Sequence, residues 1–364
     1  MTSLFAAIPD AGGDDLAAGT PRPGSPLWSA VDALLDRAQS FSDLEAHRLG
    51  LLGRARWSAT GRPVPDSAVE SARAAAIKAL AGPLLLRRVR EVCSGPIVLL
   101  KGPEAAAYYP HPSLRSFDDL DLLVPDALGT QRALLRSGFT PVGEERLYLG
   151  IHHLRPLHYA SYPVTLEIHD WPKWPDGLGP PPLDEIFDSA EPAAIGIDGI
   201  LAPPRAQQAV LLAAHAWAHG PLESLRQLID VAAVRDGVDP AEIERVAERW
   251  GLERIWRITS STIDALLFDA RRPWPLRVWA RNLPAVRERT VLEQHLQRWL
   301  APFSAYPLRQ ALLASLRALA GDVRPETNET WPAKLTRTRK AIKNAARRRS
   351  QHESELATLR ERRP

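Results

Sequence analysis

The apolar pattern of this chain changes period twice, and that change restricts it to folds that combine helices with a small sheet. From Leu27 to Val92 apolar residues recur at three- and four-residue spacing, the signature of helices with one buried face. One helix is expected from Pro26, with Ser25 as its cap and proline at the first helical position. A second is expected over 41–56. A third starts at Asp66, is interrupted or kinked at Gly82-Pro83, and resumes over 84–92. At Pro96 the pattern shortens. Residues 97–100, 119–124, 139–142, 146–149, 153–159 and 164–169 read as short extended pieces, with a helix over 127–136. A Pro/Gly-rich loop follows at 171–182. Beyond Pro204 helical spacing returns over 206–219, 222–235, 240–249 and 252–267. This order predicts an α+β protein: a flexible lead-in at 1–24, a helical segment at 25–94, a small mixed-sheet core at 95–200, a helical domain at 201–330 and a basic tail at 331–364.

Composition excludes several classes. With 45% apolar and 24% charged residues the 364-residue chain has globular proportions, not those of a disordered one. Its longest apolar runs, such as 209–214, are far too short to cross a membrane, and the first ten residues lack the basic start of a signal peptide. Cys93 is the only cysteine, so an intrachain disulfide and a Cys-rich zinc site are both excluded. A cytoplasmic location is expected. The pI of about 9.1 is misleading as a sign of nucleic-acid binding. From Lys334 onward 11 Lys/Arg meet 3 Asp/Glu, a net +8, so the whole-chain +3 leaves residues 1–333 at −5. The basicity belongs to one tail, which includes Arg347-Arg348-Arg349 and could touch nucleic acid, anionic lipid or an acidic partner.

The chemistry concentrates in two of the expected strands. Alternation puts Leu120, Leu122 and Val124 on one face and Asp119, Asp121 and Leu123 on the other. Two carboxylates side by side at the start of an apolar strand repel each other and require a cation, a proton or water. Mg²⁺ suits such a pair, because it takes a few carboxylate oxygens together with substrate phosphates. A solvated strand end explains an isolated Asp-x-Asp equally well. The second strand weighs against that account: Thr165, Glu167 and His169 share one face, opposite Val164, Leu166 and Ile168. A third carboxylate beside the pair is what a two-metal phosphoryl-transfer site needs. Lys101-Gly102 follows a strand, where a glycine lets backbone approach phosphate and a lysine neutralises it, and Arg115 lies close enough in sequence to reach the same ligand. Read blandly, Lys101 and Arg115 are surface charges.

The ordered set Leu100-Lys101-Gly102, Tyr109-Pro110, Arg115 and 119–124 resembles a family of largely uncharacterised bacterial nucleotidyltransferases in the DNA polymerase beta-like superfamily. The resemblance continues through His152-His153-Leu154, Glu167-Ile168-His169, His215, His219 and Leu228-Ile229-Asp230, and it spans about 75–265. It implies a mixed-sheet nucleotidyltransferase core, with Asp119, Asp121 and Glu167 binding two Mg²⁺ ions and Glu167 helping to activate the acceptor. Lys101, Gly102 and Arg115 would cradle the triphosphate of ATP or another NTP. One departure stands out: the Gly-Ser usual before the aspartate pair is Lys101-Gly102 here, with a longer gap to Asp119.

Other constellations compete. His215 and His219 sit one helical turn apart, but a zinc protease of the His-Glu-x-x-His type would need glutamate where Ala216 stands. These histidines, with His153 and His169, are instead expected to pack at the sheet–helix boundary or to face an acceptor pocket. Asp230 lies four residues after Arg226, the spacing of an ordinary helix ion pair. His169-Asp170 with an upstream histidine and Asp230 also imitates a metal-dependent phosphohydrolase, although such enzymes carry the His-Asp pair on a helix. The expected activity is Mg²⁺-dependent transfer of a nucleoside monophosphate from an NTP to an acceptor oxygen, releasing pyrophosphate, with a small molecule or peptide as the favoured acceptor. The alternatives are the phosphohydrolase and a non-catalytic nucleotide-binding module.

Overall fold

A computed structural model describes residues 25–160, 162–325 and 329–346. The lead-in at 1–24 and the arginine triplet of the tail lie outside the described residues. Helices α1 (Pro26–Asp36), α2 (Phe41–Ala46), α3 (Gly50–Ala59) and α4 (Asp66–Val92) precede strand β1 (Ile97–Leu99). There follow α5 (Pro103–Ala106), β2 (Asp119–Leu123), α6 (Ala127–Arg136), β3 (Phe139–Pro141), β4 (Leu157–Tyr159) and β5 (Thr165–His169). Next come α7 (Leu183–Ser189), β6 (Glu191–Pro192), β7 (Ile200–Ala202), α8 (Arg205–His219), α9 (Leu225–Arg235), α10 (Pro240–Arg249) and α11 (Glu253–Leu267). Further helices at Trp274–Val278, Val291–Leu300, Pro302–Ala305, Leu308–Val323 and Trp331–Ala346 complete the described chain.

The strands form one sheet in the order β3-β4-β5-β2-β1-β7-β6. It is mixed: β2 pairs parallel with β5 and β1 with β7, while β1–β2, β3–β4, β4–β5 and β6–β7 are antiparallel. The chain is an α+β protein, as its pattern predicts. The sheet divides two apolar cores. On one face Ile97, Leu99, Leu120, Leu122, Leu166 and Ile168 pack with Leu85, Leu86 and Val89 of α4 and Leu134 of α6. On the other, Val98, Leu100 and Leu123 join the apolar sides of α1, α3, α8, α9 and α11. Helices from before and after the sheet thus share one core, and α1 packs on both α9 and α11.

Three local expectations need correction. The helix expected over 41–56 is two, because the chain turns at His47–Leu49, where Arg48 takes a left-handed φ of 57°. Gly82-Pro83 does not break α4, which runs unbroken for 27 residues. Gly82 lies against Phe117 and Pro103, so a Cβ there would sit 3.0 Å from the Phe117 ring. Packing on that side offsets the one backbone bond that proline removes. Residues 146–149 are not extended: Glu145–Tyr148 form a 3₁₀ turn, since no neighbouring strand offers them a ladder.

Candidate functional site

The register of two parallel strands creates the site. Asp121 of β2 stands opposite Glu167 of β5, Asp119 opposite Thr165 and Leu123 opposite His169. Partners in register share a face, so Asp119, Asp121, Glu167 and His169 all lie on the side of the sheet that α8 covers. The opposite face of both strands is fully apolar, and this is what holds the register: a one-residue slip would bury the charges in the second core.

Lys101 enters where the chain leaves β1. Its Nζ lies 3.1 Å from Asp121 Oδ2 and 3.5 Å from Asp119 Oδ2. The turn behind it needs glycine: Gly102 has φ 71°, and a Cβ would meet the Asp119 carbonyl oxygen at 3.3 Å. His169 places Nε2 3.0 Å from Asp121 Oδ1. A single bridge to His169 draws in His153, whose Nε2 is 3.7 Å from Glu167 Oε2, and that oxygen lies 3.8 Å from His169 Nε2. Asp121, Glu167 and His169 can each present a ligand atom so that all three lie within 4.8 Å of one another.

Burial and crowding pull the carboxylates apart electrostatically. Burial raises the Asp121 carboxyl, but the Lys101 ammonium and the His169 hydrogen bond outweigh it and hold the group well below the usual range. Glu167 lacks such a contact. Burial, reinforced by Asp121 and Asp119, pushes it up to about 7. Burial and Asp121 also raise Asp119, which Lys101 only partly counters. Burial lowers the Lys101 ammonium, yet Asp121 and Asp119 reverse the sign and keep it charged. Three carboxylates therefore crowd beside the Lys101 ammonium.

A ring of bases surrounds this centre. The His152 ring lies edge to face with His153, centroids 4.8 Å apart, and 5.3 Å from that of His169, and burial with its histidine neighbours lowers it to about 3. From α8, His215 and His219 pack edge to face with centroids 4.6 Å apart. Burial lowers both, His219 to about 4, with Lys173 adding to the effect there. Lys173 comes from the loop after β5 and lies 3.0 Å from His219 Nε2. A cavity of about 20 Å³, the size of one water or ion, is bounded by Lys101, Asp121, His169, Lys173 and His215. Lys173 is not among the expected site residues, and His152 figures in the sequence reading only in the His-His-Leu segment and as an upstream histidine of the phosphohydrolase alternative. Nothing in a Pro-rich loop distinguishes Lys173 from a surface lysine until that loop folds across α8.

Arg115 departs from its expected place. It is 3% exposed, and its fork closes on Asp230 of α9, with Nε to Oδ1 at 2.7 Å and Nη2 to Oδ2 at 3.0 Å. Its Nη1 donates to the Gly102 carbonyl at 3.0 Å. The Tyr109 hydroxyl also donates to Asp230, at 2.6 Å. Arg115 thus braces the Lys101-Gly102 turn against the helices and does not present its donors to a phosphate. Arg226 makes the expected i, i+4 ion pair with Asp230 at 3.9 Å, a longer contact than the Arg115 fork. With Asp230 enclosed in this way, the phosphohydrolase arrangement loses one of its three groups.

Fold and site together define an α+β protein with a cluster of carboxylates, imidazoles and a lysine on the helix-covered face of its sheet. The chain belongs to the family described as uncharacterised nucleotidyltransferases, whose model matches residues 53–267, more than half of its length. No curated protein and no solved structure matches it. No helix among the described residues is long and apolar enough to cross a membrane.

Proposed function

We propose that this nucleotidyltransferase moves a nucleoside monophosphate from an NTP to an acceptor oxygen at the Asp119–Asp121–Glu167 cluster. The observation that carries the reading is the parallel register that sets Asp121 opposite Glu167 with Asp119 on the same face. The donor set fits a divalent cation. Asp121 is buried, its Oδ2 meets the Lys101 ammonium at 3.1 Å, and among the described residues Lys101 is the one ammonium in contact with both Asp119 and Asp121. Asp119, Asp121 and Glu167 would hold Mg²⁺, which supplies Lewis-acid stabilisation of the charge that develops on the phosphate oxygens.

The chain's own groups do the rest. An acceptor hydroxyl forms a bond to the α-phosphorus as the α–β bridging P–O bond breaks, and pyrophosphate leaves. Glu167, on the same face as the aspartate pair, takes the hydroxyl proton as the general base. Lys101 and Lys173 supply positive charge beside the carboxylates, and the Arg115–Asp230 brace keeps the Lys101-Gly102 turn in position. Lys173 thus takes the phosphate-side part that Arg115 cannot.

The test is a thermal-shift titration with Mg²⁺ and each of the four NTPs, in the wild type and in an Asp119→Ala/Asp121→Ala double variant. A ligand that binds the native state raises Tm by mass action. A Mg²⁺-dependent shift with at least one NTP, absent in the variant, is expected. A well-folded wild type that no NTP stabilises would overturn the reading.

A further inference from the structure

We infer that a second cavity, beside the carboxylate cluster, binds the acceptor by an acidic group, a carboxylate or phosphate held on the guanidinium of Arg226. This rests on the nucleotidyl-transfer reading and names the chemical class of its second substrate.

The cavity at the histidines has about 20 Å³, room for a water or an ion and not for a substrate. The second cavity has about 420 Å³, the size of a small-molecule site, and lies between the N-terminal helices and α9. Phe41, Leu51, Leu52 and Leu114 give it an apolar wall, and Arg226 gives it a cation. Arg115 and Asp118 also border it, which sets it next to the reaction. Arg115 holds the Gly102 carbonyl through Nη1, and Asp118 immediately precedes Asp119.

Two guanidinium groups meet one carboxylate here. Each nitrogen of the Arg115 fork donates to Asp230 or to the Gly102 carbonyl, and the Tyr109 hydroxyl adds to Asp230 Oδ1. Arg226 is left with the 3.9 Å contact to Asp230, too long for a hydrogen bond, and its side chain is 25% exposed. Among the described residues its N–H donors have no hydrogen-bond acceptor, and they border the cavity. Burial and Arg115 work against its charge, and Asp230 offsets them only in part. A half-buried cation in surplus over its counter-ions attracts an anion, and a planar fork takes a carboxylate or a phosphate on two donors at once.

The remaining charges on the border do not cancel that surplus. Asp118 is paired with Lys78, and the exposed Glu45 is matched by the exposed Arg48. The NTP already has the carboxylates and their cation, with Lys101 and Lys173, to receive its phosphates. The acceptor is the substrate that still needs a holder, and this cavity offers an arginine for its acid group and an apolar wall for its body.

The full chain, in metal-free buffer of fixed ionic strength, is titrated calorimetrically with phenyl phosphate and with benzoate, and benzyl alcohol serves as the neutral control. At least one anion is expected to bind and the alcohol is not; the tighter anion tells phosphate from carboxylate. Arg226→Met should weaken that binding about tenfold or more, and Arg226→Lys, which keeps the charge and loses the fork, by a smaller factor. Asp119→Ala/Asp121→Ala should not weaken it. The thermal shift with Mg²⁺ and NTP should persist in both Arg226 variants. A wild type that binds neither anion, or an affinity unchanged in Arg226→Met, would overturn the proposal. Loss of the NTP shift in a folded Arg226 variant would also overturn it, by giving the cavity to the triphosphate; if Arg226→Met does not fold, Arg226→Lys decides. The nucleotidyl-transfer reading fails separately, through the absence of any NTP-dependent shift in the wild type.

Discussion

Asp121 and Asp230 are both buried aspartates facing cations, yet they are finished differently. Asp230 receives a two-pronged guanidinium and a tyrosine hydroxyl, so both of its oxygens are satisfied. Asp121 receives an ammonium on one oxygen and an imidazole on the other, beside two further carboxylates and a cavity of about 20 Å³. The first arrangement is closed and joins α9 to the turn after β1. The second is open, its charge incompletely compensated. Buried charge of the first kind specifies how elements dock, and buried charge of the second kind is available for chemistry. Glu104 supplies a third case. It is 1% exposed, accepts hydrogen bonds from the Tyr108 hydroxyl and the Ala194 amide, and burial pushes it up to about 7.

Substitutions should separate these cases. The largest effect on stability is expected from Arg115→Ala, which leaves Asp230 buried and uncompensated and should cost about 3–5 kcal/mol in urea denaturation. An unchanged midpoint would remove the brace from the account. Asp121→Asn should act mainly on chemistry. Turnover should fall by about 10²–10³ or more, with a smaller loss of Tm in metal-free buffer, because Lys101 and His169 lose the carboxylate whose charge they stabilise. Wild-type turnover in that variant would end the carboxylate assignment. Tyr109→Phe removes one hydrogen bond to a charged acceptor and should cost about 1.5–3 kcal/mol, with the Arg115 fork intact. A loss as large as that of Arg115→Ala would mean that the tyrosine, not the fork, carries the brace.

The smallest effect is a slope. Glu104 binds its proton more tightly in the folded than in the unfolded chain, so between about pH 4.5 and 7 the native state holds more protons. Its contribution to stability is therefore fully present below that window and is lost as pH rises through it. Glu104→Gln should flatten this part of the Tm–pH profile, and a profile identical to wild type would show that the carboxyl titrates normally.

Much of this architecture is legible one residue at a time. The alternation of Asp119–Leu123 and Thr165–His169 assigns each side chain to its face before any contact is known, and the apolar spacing of 205–219 and 253–267 announces α8 and α11. Local turns are less legible. The break at Arg48 and the unbroken passage of α4 through Pro83 depend on what packs beside them, which the periodicity of their own segment does not contain. Arg115 shows the limit most plainly. Its partner lies 115 residues away, so proximity in sequence to the Asp pair favours the wrong neighbour.

By itself, then, the sequence determined the class of fold, the faces of the two central strands and the identity of the carboxylates. Those follow from periods of two and of three to four residues, which are properties of a local backbone. Only the tertiary structure decided that β2 and β5 pair in parallel with Asp121 beside Glu167, that His153 comes beside that glutamate, that Lys173 crosses to α8, and that Arg115 closes on Asp230. Those outcomes are set by register and burial across distant segments, where desolvated charges must find partners whatever their separation along the chain.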